Sequence, residues 1–158
     1  MEPLSPAGSA WEQRLARRIA SGFGSGFAPV APGTAGSAVA LLIGAGLMQG
    51  SPYALPLAAL LACLVGIWAI GAVGGNDDPD WIVIDEFAGQ WIAMLTLPRA
   101  SAIGLAAAFA LFRLLDILKP GPIGWADRRK DAVGVMADDV IAGMLAAIIL
   151  WFGQWFLN

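Results

Sequence analysis

The sequence contains no histidine. That absence excludes Ser-His-Asp triads, phosphohistidine chemistry and His-ligated zinc. A single cysteine, Cys63, sits in the middle of an apolar run. It has no second thiol to pair with and no arginine at the spacing of a Cys-x5-Arg loop, so it reads as a buried structural thiol. Charge is also scarce. Only 13% of residues are charged, against roughly 25% in an ordinary soluble domain. The net charge of −3 is small, and no basic arm with interleaved aromatics supports nucleic-acid binding. The first residues have no short apolar core after a basic start, so no cleavable signal is expected.

What is present is apolar. Hydrophobic residues make up 58% of 158 positions, and the mean hydropathy is +0.71. A soluble domain of this size needs a polar surface that this composition cannot supply. A single all-α membrane domain over residues 1–158, a polytopic helix bundle, is therefore expected.

Along the chain, residues 1–9 are rich in Pro, Ser and Gly and are expected to be loose. Residues 10–20 place Trp11, Leu15 and Ile19 on one stripe, with Arg14, Arg17 and Arg18 largely off it. This predicts a short amphipathic helix, suited to a membrane surface or to packing on the rest of the protein. Glycines and prolines break any helix before about Gly33, and Thr34 or Ser37 could cap a short apolar helix over 35–49. Residues 53–73, 81–98, 101–118 and 138–157 read as further spans, about five in all. With a cytoplasmic N-terminus, five spans place eight of the nine basic residues on the cytoplasmic side and only Arg99 outside.

Ten charged residues fall between Phe112 and Asp139, in FRLLDILKPGPIGWADRRKDAVGVMADD. The same topology brings Asp85, Glu86, Arg113, Asp116, Lys119, Asp127, Asp138, Asp139 and Thr34 to one membrane face. Acids inside an apolar segment, such as Asp85-Glu86, cost about 2.5–3.5 kcal/mol each to insert. They mark either function or an ion pair with Arg113 or Lys119. Arg113, Asp116 and Lys119 recur at i, i+3, i+6 and share roughly one helix face. They can grip a phosphate or bridge through Asp116. Asp138-Asp139 is expected at a helix start, as site residues or caps. Oxygen donors without nitrogen or sulfur suit Mg²⁺, with Asp85 and Asp139 expected as direct ligands and Glu86 and Asp138 left unassigned. A phosphate grip at headgroup level suggests a lipid phosphomonoester as substrate.

Four blocks resemble the phosphatidylglycerophosphatase A family: GFGSGFAPVAPGTAGS (22–37), IDEFAGQWIAM (84–94), FRLLDILKPGPIGWADR (112–128) and GVMADDVIAG (134–143). The resemblance covers about residues 22–150. It implies a Mg²⁺-dependent phosphatase, multi-pass in the bacterial inner membrane, that converts phosphatidylglycerophosphate to phosphatidylglycerol in glycerophospholipid biosynthesis. It also implies an all-α fold with one helix surrounded by others. Carried over by position, Asp85, Glu86, Asp116, Asp138 and Asp139 would be catalytic. Thr34, Arg113, Lys119 and Arg128 would bind the substrate phosphate, and Asp127 would join Asp85, Glu86, Asp138 and Asp139 around the metal. One departure is RKDAV (129–133), where the family usually has a glycine pair. Asp78-Pro79-Asp80 imitates a DxD phosphatase motif but lacks the strand before it and reads as a turn. The competing function is a small transporter or channel using intramembrane carboxylates; a purely structural subunit is a third reading. Direct attack by water and an aspartyl phosphoenzyme both remain open.

Overall fold

The computed structural model describes residues 9–157, so the expectation of a loose 1–9 segment lies, Ser9 apart, outside the described residues. The described chain is all-helical, with no strand among its residues. Seven α-helices follow in order: α1 (Ala10–Ala20), α2 (Pro32–Leu47), α3 (Ala54–Ala72), α4 (Ile84–Met94), α5 (Ala102–Leu118), α6 (Pro122–Asp127) and α7 (Ala132–Leu157). A 3₁₀ segment, Gly22–Phe27, joins α1 to α2.

Local chemistry sets the ends. Ser9 starts α1, where its N–H and hydroxyl donate to the Glu12 carboxylate at 2.5 and 3.0 Å, a capping-box arrangement. Pro32 opens α2 at its first turn, after Ala31 in a left-handed conformation. Thus α2 begins before residue 35 and neither Thr34 nor Ser37 caps it. Ser37 instead donates back to the Gly33 carbonyl at 2.8 Å. Asp131 takes the capping role for α7, accepting from the Gly134 N–H at 2.7 Å. The RKDAV departure therefore supplies a helix start.

Helix α1 packs on the rest of the protein, one of the two readings of its sequence. Ala16 and Ala20 are buried, and Gln13 donates to the Ala72 carbonyl at the end of α3 at 3.0 Å. Trp11 and Leu15 face outward.

Among the described residues two helices, α3 and α7, rather than the five expected, are long and apolar enough to cross a membrane, judged by length and composition. The segment expected as a third span, 81–98, yields an 11-residue helix, about 16 Å long at 1.5 Å per residue. Nine of the eleven residues of α4 are buried, because α2, α3, α5 and α7 all pack on it. Glycine makes each close approach possible. On α2, Gly36 lies against Val83 and Gly44 against Trp91 and Met94; on α3, Gly66 meets Ile84; on α7, Gly143 meets the Gly89 backbone. Toward α5 the glycine belongs to α4 itself, with Gly89 under the Phe112 ring. Small residues at helix contacts let backbones approach closely.

Polarity is distributed inside out. Ser37, Asp85, Gln90, Asp116, Asp138 and Asp139 are buried, while Leu57, Leu60, Leu64 and Trp68 of α3 and Ile148, Trp151, Phe152 and Trp155 of α7 are exposed. A water-facing surface would reverse that order.

Candidate active site

The buried acids gather at one end of the bundle. Asp85 and Glu86 occupy the first turn of α4. Arg113 and Asp116 lie near the end of α5, which stops because Lys119 turns left-handed at φ 45°. Pro120 and Pro122 then redirect the chain into α6, which ends at Asp127. Asp138 and Asp139 lie two turns inside α7, since that helix starts at Ala132. Neither is a cap, so a capping role does not account for them.

Arg113 is the hub on one side. Its Nη1 pairs with the Asp116 carboxylate, lies 3.8 Å from Glu86 Oε1 and donates to Ser37 Oγ at 3.4 Å. Lys119 is the hub on the other. Having left the helix, it does not bridge through Asp116. It pairs instead with Asp127 and, at 2.7 Å, with Asp138 Oδ2. The Lys119 ammonium beside Asp127 holds that carboxyl below the usual carboxylate range. Lys119 thereby ties α5, α6 and α7 together.

Two sets of carboxylates are close enough to share a cation. Oxygens of Asp85, Glu86 and Asp139 lie within 4.8 Å of one another, and so do oxygens of Asp116, Asp138 and Asp139. Asp139 belongs to both. Asp139 Oδ2 and Glu86 Oε2 are buried and without a hydrogen-bond partner. Unpaired buried carboxylate oxygens are expensive unless something cationic meets them. The donors are all hard oxygens, which fits Mg²⁺. Asp127 falls outside both sets and serves Lys119.

The site opens through a cavity of about 410 Å³, lined by Pro32, Gly33, Asp78, Asp80, Glu86 and Arg113 among others. Gly33 faces Glu86 and Arg113, where a side chain would collide with the carboxylate. The family profile for Phosphatidylglycerophosphatase A matches residues 18–154. The chain belongs to the phosphatidylglycerophosphatase A family. It is an enzyme, a phosphatase. The Phosphatidylglycerophosphatase A of Escherichia coli (strain K12) is 40% identical over 85% of this chain and 80% of its own length. That of Haemophilus influenzae is 38% identical over 88% of each. A Bacteroides thetaiotaomicron protein named "Putative phosphatidylinositol-3-phosphatase" is 41% identical over 89% of this chain and 94% of its own. No solved structure matches the chain.

Within this candidate site of a phosphatidylglycerophosphatase A family member, most residues singled out in the sequence come together: Asp85, Glu86, Arg113, Asp116, Lys119, Asp138 and Asp139, with Asp127 at the edge. Thr34 is half-buried beside Gly33, and Arg128 is exposed at the end of α6. Ser37, Gln90, Asp78 and Asp80 were not anticipated. Gln90 is fully buried, one turn below Glu86, with both amide atoms unpartnered. A polar residue inside an apolar segment is the signal that could have found it. The Asp78-Pro79-Asp80 turn is indeed a turn, but Asp78 and Asp80 line the mouth.

Proposed function

We propose that this enzyme is a membrane-embedded, Mg²⁺-dependent phosphatidylglycerophosphatase that releases the terminal phosphate of phosphatidylglycerophosphate and leaves phosphatidylglycerol. The observation that carries the reading is the meeting of buried carboxylates from α4, α5 and α7 with Arg113 beneath one open mouth. Family membership sets the reaction class, and the apolar exterior supports a substrate that lies in lipid.

Asp85, Asp116, Asp138 and Asp139 would hold the Mg²⁺, which when bound offsets phosphate charge and makes a water more acidic. Arg113 receives the phosphate. Its planar fork suits phosphate oxygens, and its Nε is buried without a partner. Asp116 and Ser37 fix the guanidinium in place. Lys119 is already held by two carboxylates, so its first task is to position Asp138 and its second to add positive charge nearby. Glu86, with one oxygen toward Arg113 and the other free, accepts the proton of the attacking water. A P–O bond to water forms, the bond to the glycerol oxygen breaks, and that oxygen regains a proton at the open mouth.

The same reading puts the protein in the bacterial inner membrane with the mouth toward the cytoplasm, supported by the basic residues Arg14, Arg17, Arg18, Arg113 and Lys119 gathered at the mouth end of the bundle. A transporter would need polar groups through the depth of the bundle. The acids here are confined to one end. The name carried by the Bacteroides relative supports a second substrate, a phosphoinositide. Purified protein in mixed micelles should release phosphate from phosphatidylglycerophosphate faster than from phosphatidylinositol 3-phosphate or aqueous glycerol 3-phosphate, and EDTA should stop it. Equal turnover of the soluble ester would refute the membrane placement, and faster turnover of the phosphoinositide would reassign the substrate.

A further inference from the structure

A second cavity, of about 340 Å³, lies between α1 and the 3₁₀ segment, lined by Arg14, Arg17, Arg18, Ser21, Phe23 and Phe27 among others. No residue of it lines the mouth of the active site. Three arginines converge here, and among the described residues no carboxylate pairs with any of them. The acid of α1, Glu12, is occupied at the helix start. Arg17 is held flat, its guanidinium 5.3 Å from the Phe27 ring and 4.8 Å from the Trp81 ring. That stacking leaves Arg14 and Arg18 as the free charges of the pocket.

The rim is apolar and faces outward. Phe23 is 77% exposed and Phe27 is 52% exposed. Phe23 also sits in the left-handed region at φ 57°, between Gly22 at φ 54° and Gly24 at φ 101°. A bulky residue rarely adopts that conformation. Its cost is not repaid by packing inside the protein, because the ring is held away from the core. The backbone is bent so that an aromatic side chain projects beside a cluster of arginines.

The pocket has a defined level in the molecule. The Val83 N–H, at the start of α4, donates to the Ala20 carbonyl at 2.9 Å. The Gly22 position abuts Val83 and the Phe87 ring. The cavity therefore opens at the same end as Asp85 and Glu86, separated from them by residues 81–83. Charge complementarity and the apolar rim together select one occupant. We infer that this pocket is an accessory site for an anionic phospholipid, whose phosphodiester is held by Arg14 and Arg18 while its apolar part lies along Phe23 and Phe27. Arginine recognises phosphate by paired hydrogen bonds, and phenylalanine beside a basic amphipathic helix suits the boundary between headgroups and acyl chains. The inference rests on the membrane placement proposed above but not on the identity of the substrate.

The test is native mass spectrometry of the whole, delipidated protein titrated with phosphatidylserine or phosphatidylcholine. Phosphatidylserine is neither substrate nor product of the proposed reaction, so it reports this pocket. The wild type should prefer phosphatidylserine. Arg14→Gln/Arg18→Gln, which leaves the Arg17 stack intact, should weaken its binding by about 30-fold, at about fivefold per arginine. Phe23→Asn should also weaken binding without lowering the melting temperature, because asparagine tolerates the left-handed backbone. Equal binding of the two lipids by the wild type, or unchanged phosphatidylserine binding by the double variant, overturns the inference. So does displacement of the lipid by an equal concentration of inorganic phosphate, which would show a free-anion site only. Turnover of phosphatidylglycerophosphate by the same preparation separately reports whether the proposed reaction stands.

Discussion

Replacing Gly89 by alanine tests whether the α4–α7 contact positions the acids. A methyl group at Gly89 would lie 2.5 Å from Phe112 Cε2 and 2.6 Å from the Asp139 carbonyl oxygen. Ordinary contact begins near 3.4 Å, so the backbone of Asp139 must retreat by about 0.8 Å or the Phe112 ring must leave its place. Phe112 is fully buried and backbone does not yield cheaply. Overpacking of this kind costs about 1–3 kcal/mol. The displaced residue is the one carboxylate common to both candidate metal sets. Misplacing a reacting group by about 1 Å costs roughly 100-fold in rate. Gly89→Ala should therefore lose about two orders of magnitude in kcat and several degrees in melting temperature. Gly153→Ala, on α7 with nothing within 4 Å of the added methyl, is the control and should be close to wild type in both. Phosphate release in micelles and thermal unfolding in detergent measure the two quantities. A Gly89→Ala enzyme with wild-type kcat would refute the claim that this contact sets the position of Asp139.

Other outcomes follow from the same geometry. Asp139→Asn should reduce activity by at least about 100-fold, the scale of disrupted metal support, while raising the melting temperature measured in EDTA, since it removes one of several mutually repelling buried acids; a lower melting temperature would mean that Asp139 is structural. Arg113→Lys keeps the charge and loses the fork, so kcat/KM should fall by about 10- to 100-fold, as expected for lost charge-assisted hydrogen bonds; unchanged kinetics would remove Arg113 from phosphate binding. Asp127→Asn should cost about 1 kcal/mol or less in stability, because that pair is partly exposed to solvent, and should change kcat little if Asp127 only steadies Lys119. EDTA should abolish phosphate release and Mg²⁺ should restore it; full activity in EDTA would dismiss the metal.

The site was more legible in the sequence than the fold. Asp85, Glu86, Asp138 and Asp139 declared themselves because ionised groups inside apolar segments are costly and therefore seldom incidental. The number of spans misled for a physical reason. Residues 81–98 are apolar because other helices enclose them, and enclosure by protein leaves the same composition as enclosure by lipid. The start of α7 was placed at Asp138 because a charged pair before an apolar run looks like a beginning. The cap is Asp131, signalled only by its bond to the Gly134 N–H. Lys119 was read on one face with Arg113, but the left-handed turn at its own position swings it toward α6 and α7. Ser37 reads in the sequence only as a possible cap: its contact with Arg113 depends on α2 crossing beside that residue, which no local pattern encodes.

The shortness of α4 bears on how the protein is made. A segment of about 16 Å, opening with two carboxylates, has neither the length nor the apolarity to enter a bilayer by itself. Under the membrane placement proposed above, it enters between α3 and α5 and is lodged there by its neighbours. Much of that lodging comes from α7, which is the last of these helices to emerge during synthesis and brings Asp138 and Asp139 with it. Until then Asp85 and Glu86 lack the helix that completes their surroundings. The candidate site is thus complete only once α7 is in place, and a chain interrupted before residue 132 would leave Asp85 and Glu86 without Asp138 and Asp139.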